Sequence, residues 1–191
     1  MAAPAVPDPR GRARRRALVA AAVLLALFLL NGAWIVRSLR SLGGGAAGAG
    51  RPAPAFSGPT LVGPRLALAD LRGQVVLLDF WATWCGPCLA EMPALRRLDE
   101  TAGPRGLAVV GINIEGAAAR RAVDDVVREA GLRYPTVLDE GQIRQLYGVG
   151  GLPHLVLIDR EGIVRRVFQG ATPAAEMARA VEETLTMVPR P

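Results

Sequence analysis

The segment Trp84–Cys88, Trp-Cys-Gly-Pro-Cys, contains the only two cysteines among the 191 residues of the chain. Two thiols separated by two residues can close a small disulfide ring and reopen it, and a thiol with a lowered pKa is a nucleophile near neutral pH. A structural zinc ion normally takes four ligands, whereas the sequence offers a single histidine, His154, beside the two cysteines. The motif therefore predicts thiol–disulfide chemistry with neither a metal nor a cofactor.

The residues on both sides of the motif predict a strand that leads directly into a helix. Val75–Phe80 is a short apolar run, which is typical of a buried parallel strand. From Pro87 onward, apolar residues recur at helical spacing, and proline suits a first helical position. Cys85 should then lie exposed at the helix N-terminus, where unpaired N–H groups and the helix dipole favour a thiolate. Cys88 should lie one turn later and be more buried, as suits a resolving thiol.

This segment and further positions along the chain resemble thioredoxins. Asp79–Cys88 is similar to the thioredoxin active-site segment, and Pro93 stands where thioredoxins kink the following helix. Tyr147–Pro153 resembles the approach to the family's cis-proline, and Leu155–Asp159 resembles the strand after it. The resemblance implies an α/β thioredoxin-like fold with a central mixed sheet and flanking helices.

Hydrophobic periodicity and turn residues predict the remaining elements. They are a lead-in strand or hairpin at Leu66–Gly73, a strand at Leu107–Ile114, a helix at Ala117–Ala130, a strand at Tyr134–Leu138, a helical turn at Gln142–Tyr147, a hairpin of Leu155–Ile158 and Ile163–Phe168, and a last helix from Pro173 to about Met187, capped by Thr172. The helix and strand at about residues 115–138 are an insert that plain thioredoxins lack. With an N-terminal anchor, this insert is similar to the TlpA/ResA-like membrane-anchored thiol–disulfide oxidoreductases of bacteria.

The resemblance implies roles for individual residues. Cys85 would attack a substrate disulfide, and Cys88 would resolve the mixed disulfide. Asp79 stands where thioredoxins keep a buried acid, so it either accepts the proton of Cys88 or is a hydrogen-bonded core acid. The implied substrate-binding residues are Trp84, Gly86, Pro87, Leu152 and Pro153. Pro153, as a cis-proline, would lie against the cysteine pair and present the backbone of Leu152 to a substrate strand.

Two residues leave alternatives open. His154 stands where the resembled families usually have threonine, so it could tune the thiolate, help to hold a soft metal such as copper, or simply pack. Glu115 falls near a position where some TlpA/ResA-like proteins carry a functional glutamate, whereas a solvated surface glutamate is the simpler interpretation. The alternative functions are a copper-binding thioredoxin-like chaperone of the Sco type and a peroxiredoxin-like antioxidant enzyme. The spacing of the two cysteines differs from that of the Sco-type chaperones, and the residues before Cys85 differ from those of peroxiredoxins.

The first part of the chain predicts a membrane anchor. Residues 17–36 carry no charge and are long enough to span a hydrocarbon core of ~30 Å. Five arginines precede this stretch and two follow it closely, so the positive-inside rule places residues 1–16 in the cytoplasm. A cleaved signal peptide is the alternative. Residues 37–55, rich in Gly, Ala and Pro, predict a flexible tether, and residues 56–188 predict the thioredoxin-like domain.

The net charge of +6 is unevenly distributed. Residues 1–51 hold eight arginines and one acid and carry +7, whereas residues 52–191 hold fifteen arginines and sixteen acids and carry −1. The basic character thus belongs to the membrane flank and gives no reason to expect a nucleic-acid partner.

We therefore expect a single-pass protein of the bacterial inner membrane whose periplasmic domain reduces disulfides of substrate proteins. By resemblance, the electrons would come from a membrane thiol donor of the DsbD/CcdA type. The candidate pathways are cytochrome c maturation and copper-site assembly, as parts of cell redox homeostasis. The Gly86-Pro87 pair between the cysteines resembles that of the reducing thioredoxins.

Overall fold

A five-stranded mixed sheet forms the centre of residues 47–187, the part of the chain that the computed structural model describes. Its strands are β3 (Val75–Trp81), β4 (Leu107–Asn113), β5 (Thr136–Leu138), β6 (His154–Ile158) and β7 (Val164–Gln169), and two short strands before them, β1 (Ser57–Gly58) and β2 (Leu66–Ala67), form a separate antiparallel pair. The order in the sheet is β5-β4-β3-β6-β7. Strands β3, β4 and β5 are parallel, whereas β6 runs antiparallel to both β3 and β7.

Helices cover the sheet and connect its strands. They are α1 (Gly86–Ala102), α2 (Arg120–Glu129), α3 (Gln142–Leu146) and α4 (Ala174–Leu185), with 3₁₀ turns at Leu68–Leu71, Gly103–Arg105 and Ala117–Ala119. The α/β architecture with a central mixed sheet is confirmed. The predicted insert is present as α2 and β5, between β4 and the segment that leads to Pro153.

Strand β3 is buried along its whole length because both faces of the sheet are covered. Leu77 and Trp81 pack in one apolar cluster with Met92 of α1, whereas Leu78 and Phe80 belong to the cluster on the opposite face. Burial on both faces explains why this strand is a continuous apolar run in the sequence, interrupted by Asp79 alone.

The sheet topology brings three connections to one edge. Because β3 and β4 are parallel, the residues after both strands lie side by side, and the Ile114 N–H donates to the Trp81 carbonyl at 3.1 Å. Strand β6 runs in the opposite direction, so its first residue, His154, pairs with Phe80 near the end of β3. Pro153 therefore lies at the same edge as the cysteine motif.

The N-terminal predictions fall mainly outside the described residues. This applies to the cytoplasmic segment 1–16, the anchor 17–36 and the first part of the tether, 37–46. Within residues 47–187, no helix has the length and apolar character needed to cross a membrane.

The prediction of a flexible tether is wrong for residues 47–55. Gly50 N–H donates to the Val164 carbonyl at 2.7 Å, and Ala53 N–H donates to the Gly162 carbonyl at 2.8 Å. These bonds dock the segment beside β7, so the ordered domain begins before residue 56. The amino-acid composition of the segment did not indicate this docking, because the bonds are made by backbone groups, which every residue carries.

Two helix starts also differ from the prediction. The helix expected from Ala117 begins as a 3₁₀ turn, and α2 itself starts at Arg120. Thr172 does not cap α4, because its N–H donates to Glu91 Oε1 and its hydroxyl donates to the Gly170 carbonyl at 3.1 Å. A tertiary contact with α1 therefore takes the place of the local cap.

Candidate active site around Cys85 and Cys88

Cys85 and Cys88 form a disulfide at the start of α1. Cys85 is the N-cap residue of the helix, and the Cys88 N–H donates to Cys85 Sγ at 3.2 Å. Pro87 lies in the first turn, where its missing N–H costs no helical hydrogen bond. In the reduced protein, the same N–H group and the helix dipole favour a thiolate at Cys85.

The two sulfur-bearing residues differ less in exposure than the sequence predicts. Cys88 is 1% exposed and Cys85 is 5% exposed, so their order is as expected, but the prediction of an exposed Cys85 is wrong. Cys85 lines the floor of a groove, whose walls cover most of its surface. A substrate must therefore enter the groove to reach the sulfur.

The groove has a volume of about 410 Å³ and is formed by the motif on one side and by the segment before β6 on the other. Its lining residues are Trp84, Cys85, Gly86, Pro87, Ile114, Arg144, Val149, Gly150, Gly151 and Leu152. Four predicted substrate-binding residues, Trp84, Gly86, Pro87 and Leu152, thus come together. The fifth, Pro153, is buried and does not line the groove, and the peptide bond between Leu152 and Pro153 is cis.

The groove wall contains residues that the sequence analysis did not single out as site residues. Arg144 of α3 reaches it, and its Nε donates to the Val149 carbonyl at 3.3 Å. Trp84 is 70% exposed and forms an apolar surface beside the disulfide. The groove therefore offers one large aromatic face, glycine backbone and one cation to a bound polypeptide.

Asp79 lies on β3, in the layer between the sheet and α1, and is 2% exposed. Its carboxyl group accepts no hydrogen bond from another residue within 47–187, and its role, as the proton acceptor of Cys88 or as a core acid, stays a prediction. Burial, and then the negative charge of Glu91, raises the pKa of Asp79 to about 8. Near neutral pH the oxidised protein therefore keeps this acid mostly protonated.

Glu91 is a second buried acid, and the sequence analysis missed it. It lies three residues after Cys88 on the buried side of α1, and its Oε1 accepts the Thr172 N–H. Its Oε2 is buried without a hydrogen-bond partner among residues 47–187. Burial raises the pKa of Glu91, and the bond from Thr172 opposes this. The sequence does contain a sign of this burial. Glu91 falls among the apolar residues on one side of the predicted helix, one turn after Cys88.

Glu115 holds the loop that precedes Cys85. Its Oε2 accepts the Thr83 N–H at 2.6 Å and the Asn113 side-chain amide at 3.0 Å, and its Oε1 accepts the Thr83 hydroxyl at 2.9 Å. Asn113 Oδ1 in turn accepts the Glu115 N–H at 3.0 Å. The interpretation of Glu115 as a solvated surface residue is therefore wrong.

His154 is buried at the start of β6 and packs edge-on against Phe80, with ring centroids 5.7 Å apart. Its Nε2 is buried, and no residue within 47–187 hydrogen bonds to it. Burial lowers the pKa of His154, so the ring is neutral at physiological pH. Among the described residues, no three His, Cys, Asp or Glu side chains are grouped so that they could hold a metal ion.

Comparison with known proteins agrees with this arrangement. Thioredoxin-like protein YneN of Bacillus subtilis is 34% identical over 134 residues, which cover 70% of this chain and 78% of YneN. Thiol-disulfide oxidoreductase ResA of Bacillus thuringiensis is 39% identical over 116 residues, or 60% of this chain and 66% of ResA.

Solved structures with the same fold include a Chlorobium tepidum protein described as a thiol:disulfide interchange protein DsbE. It has a TM-score of 0.68 and 31% identity, and the match covers 73% of this chain and 99% of that one. A DsbF homologue from Corynebacterium diphtheriae has a TM-score of 0.63 and 26% identity, over 69% of this chain and 85% of that one. The AhpC/TSA family model matches residues 49–167. The chain therefore belongs to the AhpC/TSA family and is a thioredoxin-like thiol–disulfide oxidoreductase.

Proposed function

We propose that this protein reduces disulfides of substrate proteins outside the cytoplasm. The observation that carries the proposal is the position of Cys85 as the N-cap of α1, with Cys88 buried one turn later and the acid Glu91 buried on the same helix. The helix N-terminus stabilises the Cys85 thiolate, which makes Cys85 the attacking sulfur. Cys88, which is almost fully buried, is left to act within the protein.

The reaction consists of two exchange steps. The Cys85 thiolate attacks one sulfur of the substrate disulfide, a mixed disulfide forms, and the other substrate sulfur leaves as a thiolate. Cys88 then loses its proton and attacks Cys85 Sγ, which closes the Cys85–Cys88 disulfide and releases the second substrate sulfur. Two electrons pass from the protein to the substrate, and each released thiolate takes up a proton.

Asp79 serves as the proton acceptor of Cys88 in the second step. In the oxidised protein the pKa of Asp79 is about 8, so the acid is protonated and can return the proton to the Cys88 sulfur when the disulfide is reduced again. Glu91 supports this role because its negative charge helps to raise the pKa of Asp79.

Trapping of the mixed disulfide tests the assignment of the two sulfurs. In Cys88→Ser, the mixed disulfide between Cys85 and a substrate protein should accumulate, because the resolving thiol is missing. Non-reducing electrophoresis and mass spectrometry of the linked peptides identify the sulfur. Cys85→Ser is the matched control and should trap nothing; a stable adduct through Cys88 in that variant would reverse the two roles.

For the placement of the protein, we propose that residues 17–36 anchor it in the bacterial inner membrane, with residues 1–16 in the cytoplasm and the domain in the periplasm. The uncharged stretch and the excess of arginines before it support this orientation. A domain outside the cytoplasm needs a supply of electrons, for which a membrane thiol donor of the DsbD/CcdA type is the proposed source. The proposed substrates are the haem-site thiols of apocytochrome c or copper-site cysteines of an oxidase.

A further inference from the structure

Arg144 of α3 brings a positive charge to the groove that leads to Cys85. It is exposed, and it lines both this groove and an adjoining depression that it forms with Gly141, Gln145 and Gly148. Among the residues of the described part of the chain that line the groove, Arg144 and Cys85 alone have ionisable side chains. The groove therefore carries a positive charge with no acid on its walls.

Hydrogen bonds at both ends of the residue hold Arg144 in place. Its backbone N–H donates to Asp139 Oδ2 at 2.8 Å, and Asp139 Oδ1 accepts the Ile143 N–H at 2.9 Å, so a buried carboxylate fixes the start of α3. The side-chain Nε donates to the Val149 carbonyl at 3.3 Å, which ties the guanidinium to the groove wall. A side chain that is already ordered loses less conformational entropy when it binds a ligand.

The terminal nitrogens of the Arg144 guanidinium have no hydrogen-bond or ion-pair partner among residues 47–187. The two acids next to α3 are engaged elsewhere, because Asp139 accepts backbone N–H groups of α3 and Glu140 Oε1 accepts the Ala117 N–H at 2.9 Å. The charge of Arg144 is therefore not neutralised within this part of the chain. A guanidinium presents parallel N–H donors that match the two oxygens of a carboxylate, so an acidic side chain is the ligand it suits.

The surroundings of the groove favour an ion pair with a bound polypeptide. Trp84 is 70% exposed and forms an apolar wall beside the disulfide, so a polypeptide that lies against it displaces water from the groove. An ion pair becomes stronger when water is displaced, because the effective dielectric constant falls. Residues 52–191 as a whole carry −1, so the positive charge of the groove is local and does not belong to a basic surface.

We propose that Arg144 selects substrate polypeptides that carry an acidic side chain, Asp or Glu, close in sequence to the disulfide cysteine. The inference rests on the proposed reduction of substrate disulfides by Cys85. Arg144 and Cys85 line the same groove, and an extended chain rises about 3.3 Å per residue, so the acidic side chain lies within a few residues of the substrate cysteine. The ion pair holds the substrate disulfide over Cys85 Sγ. Arg144 is thus a specificity-determining residue and transfers neither electrons nor protons.

The test compares peptide disulfides that carry Asp, Asn or Lys at the same position, placed in turn at each position near the cysteine. Both peptide termini are blocked, so the side chain supplies the only carboxylate. The reduced full-length protein is mixed with each peptide, and acid quenching with mass spectrometry gives the rate constant for closing the Cys85–Cys88 disulfide. Arg144→Gln removes the charge and Arg144→Glu reverses it. Arg133→Gln is the matched control, because Arg133 is also exposed but precedes β5, at the sheet edge opposite to the cysteine motif.

For the wild type, we expect the best-placed Asp peptide to react about fivefold faster than its Asn counterpart and the Lys peptide to react slowest, with differences that shrink as salt is added. In Arg144→Gln the Asp and Asn peptides should react equally fast, and in Arg144→Glu the Lys peptide should react fastest. Arg133→Gln should keep the order and the ratios of the wild type. Equal rates for all peptides in the wild type would overturn the selection and leave the reductase function intact. A wild type that reduces none of the peptides would remove the proposed function and the selection with it.

A second measurement separates recognition of the substrate from other effects of the substitutions. Alkylation of Cys85 by iodoacetamide, followed against pH, gives the pKa of its thiol in each variant. Uniform slowing of all peptides in Arg144→Gln and Arg144→Glu, with the order unchanged, would overturn the selection. A raised pKa of Cys85 would then assign Arg144 to the thiolate, and an unchanged pKa would assign it to the loop that it holds through Val149. Arg144→Lys, which keeps the charge without the planar fork, should keep a smaller preference for Asp.

Discussion

At the scale of single residues, Asp79 is held in its protonated form by its surroundings. The pKa of Asp79 is raised from its ordinary value of 3.8 to about 8, mainly because the carboxyl group is buried and then because of the charge on Glu91. The apolar layer between β3 and α1 thus makes this carboxyl group a proton donor and acceptor near neutral pH.

This shift predicts how stability depends on pH. Between about pH 4 and pH 8 the unfolded chain has lost the proton of Asp79, whereas the folded protein keeps it. The folded state then binds more protons, so the free energy of unfolding should fall as the pH rises, by at most about 1.4 kcal/mol per pH unit. Asp79→Asn should reduce this slope and make the oxidised protein more stable at pH 8, by up to several kcal/mol. Urea denaturation from pH 4 to pH 8 measures both effects.

Asp125→Asn provides the control for this measurement, because Asp125 is exposed on α2 and should leave the slope unchanged. An equally steep slope in Asp79→Asn would show that another group causes the pH dependence.

At the scale of elements, the loop between β3 and α1 is fastened to the end of β4. Glu115, just after β4, makes two of the bonds that join them, both to Thr83, and it also accepts a bond from the Asn113 side chain at the end of β4. Cys85 follows Thr83 by two residues, so the position of the attacking sulfur depends on a residue that lies thirty positions later in the chain. The insert begins at about residue 115, so the bonds from Glu115 to Thr83 join the start of the insert to the loop before Cys85.

Glu115→Ala should loosen this loop. The variant leaves the Thr83 N–H and the Asn113 amide without their acceptor, which should cost about 1–3 kcal/mol of stability. The Thr83 amide should also exchange its hydrogen faster. Hydrogen exchange followed by mass spectrometry or nuclear magnetic resonance measures the rate.

The matched control is Glu140→Ala. Glu140 also holds the insert, through a bond from the Ala117 N–H at 2.9 Å, but it has no bond to Thr83. Its removal should leave the exchange of the Thr83 amide unchanged. If both variants affected that amide equally, the effect would come from the insert as a whole and not from the bonds of Glu115.

At the scale of the whole molecule, the direction of electron flow depends on the reduction potential of the Cys85–Cys88 pair. Thioredoxins have potentials near −270 mV, whereas the strongly oxidising DsbA lies near −120 mV, a difference of about 7 kcal/mol for a two-electron couple. The Gly86-Pro87 pair and the protonated Asp79 lead us to expect a value near the thioredoxin end. Equilibration with dithiothreitol or glutathione measures it, and a value near −120 mV would make the protein an oxidant.

Placement in the membrane is also a property of the whole molecule. A reporter fused after Pro191 should be active only outside the cytoplasm, and the protein should remain with membranes after a carbonate wash. Leu25→Arg is a suitable control, because a charge in the middle of residues 17–36 costs about 2.5–3.5 kcal/mol of insertion and should weaken retention. A shortened soluble form of the wild type would identify the segment as a cleaved signal peptide.

The parts of the fold that depend on local pattern were predictable from the sequence. The apolar run of β3, the helical spacing after Pro87 and the hairpin of β6 and β7 are all properties of neighbouring residues, and the structure contains these elements. The cysteine pair and its position at the helix start follow from the same local order. Boundaries were less predictable, as at α2 and α4, because tertiary hydrogen bonds compete with local caps at helix ends.

The sequence by itself determined which chemistry the protein performs, because two thiols three positions apart at a helix start can form a reactive pair in any fold that contains this segment. Only the tertiary structure decided what surrounds them. The charge of Glu91 acts on Asp79, Glu115 holds Thr83, and the polar groups around Gly111 meet because strands from distant parts of the chain pair in one register. The physical reason is that periodicity and spacing describe neighbours along the chain. Burial and electrostatic coupling, which set the pKa of each acid, arise only when distant segments pack together.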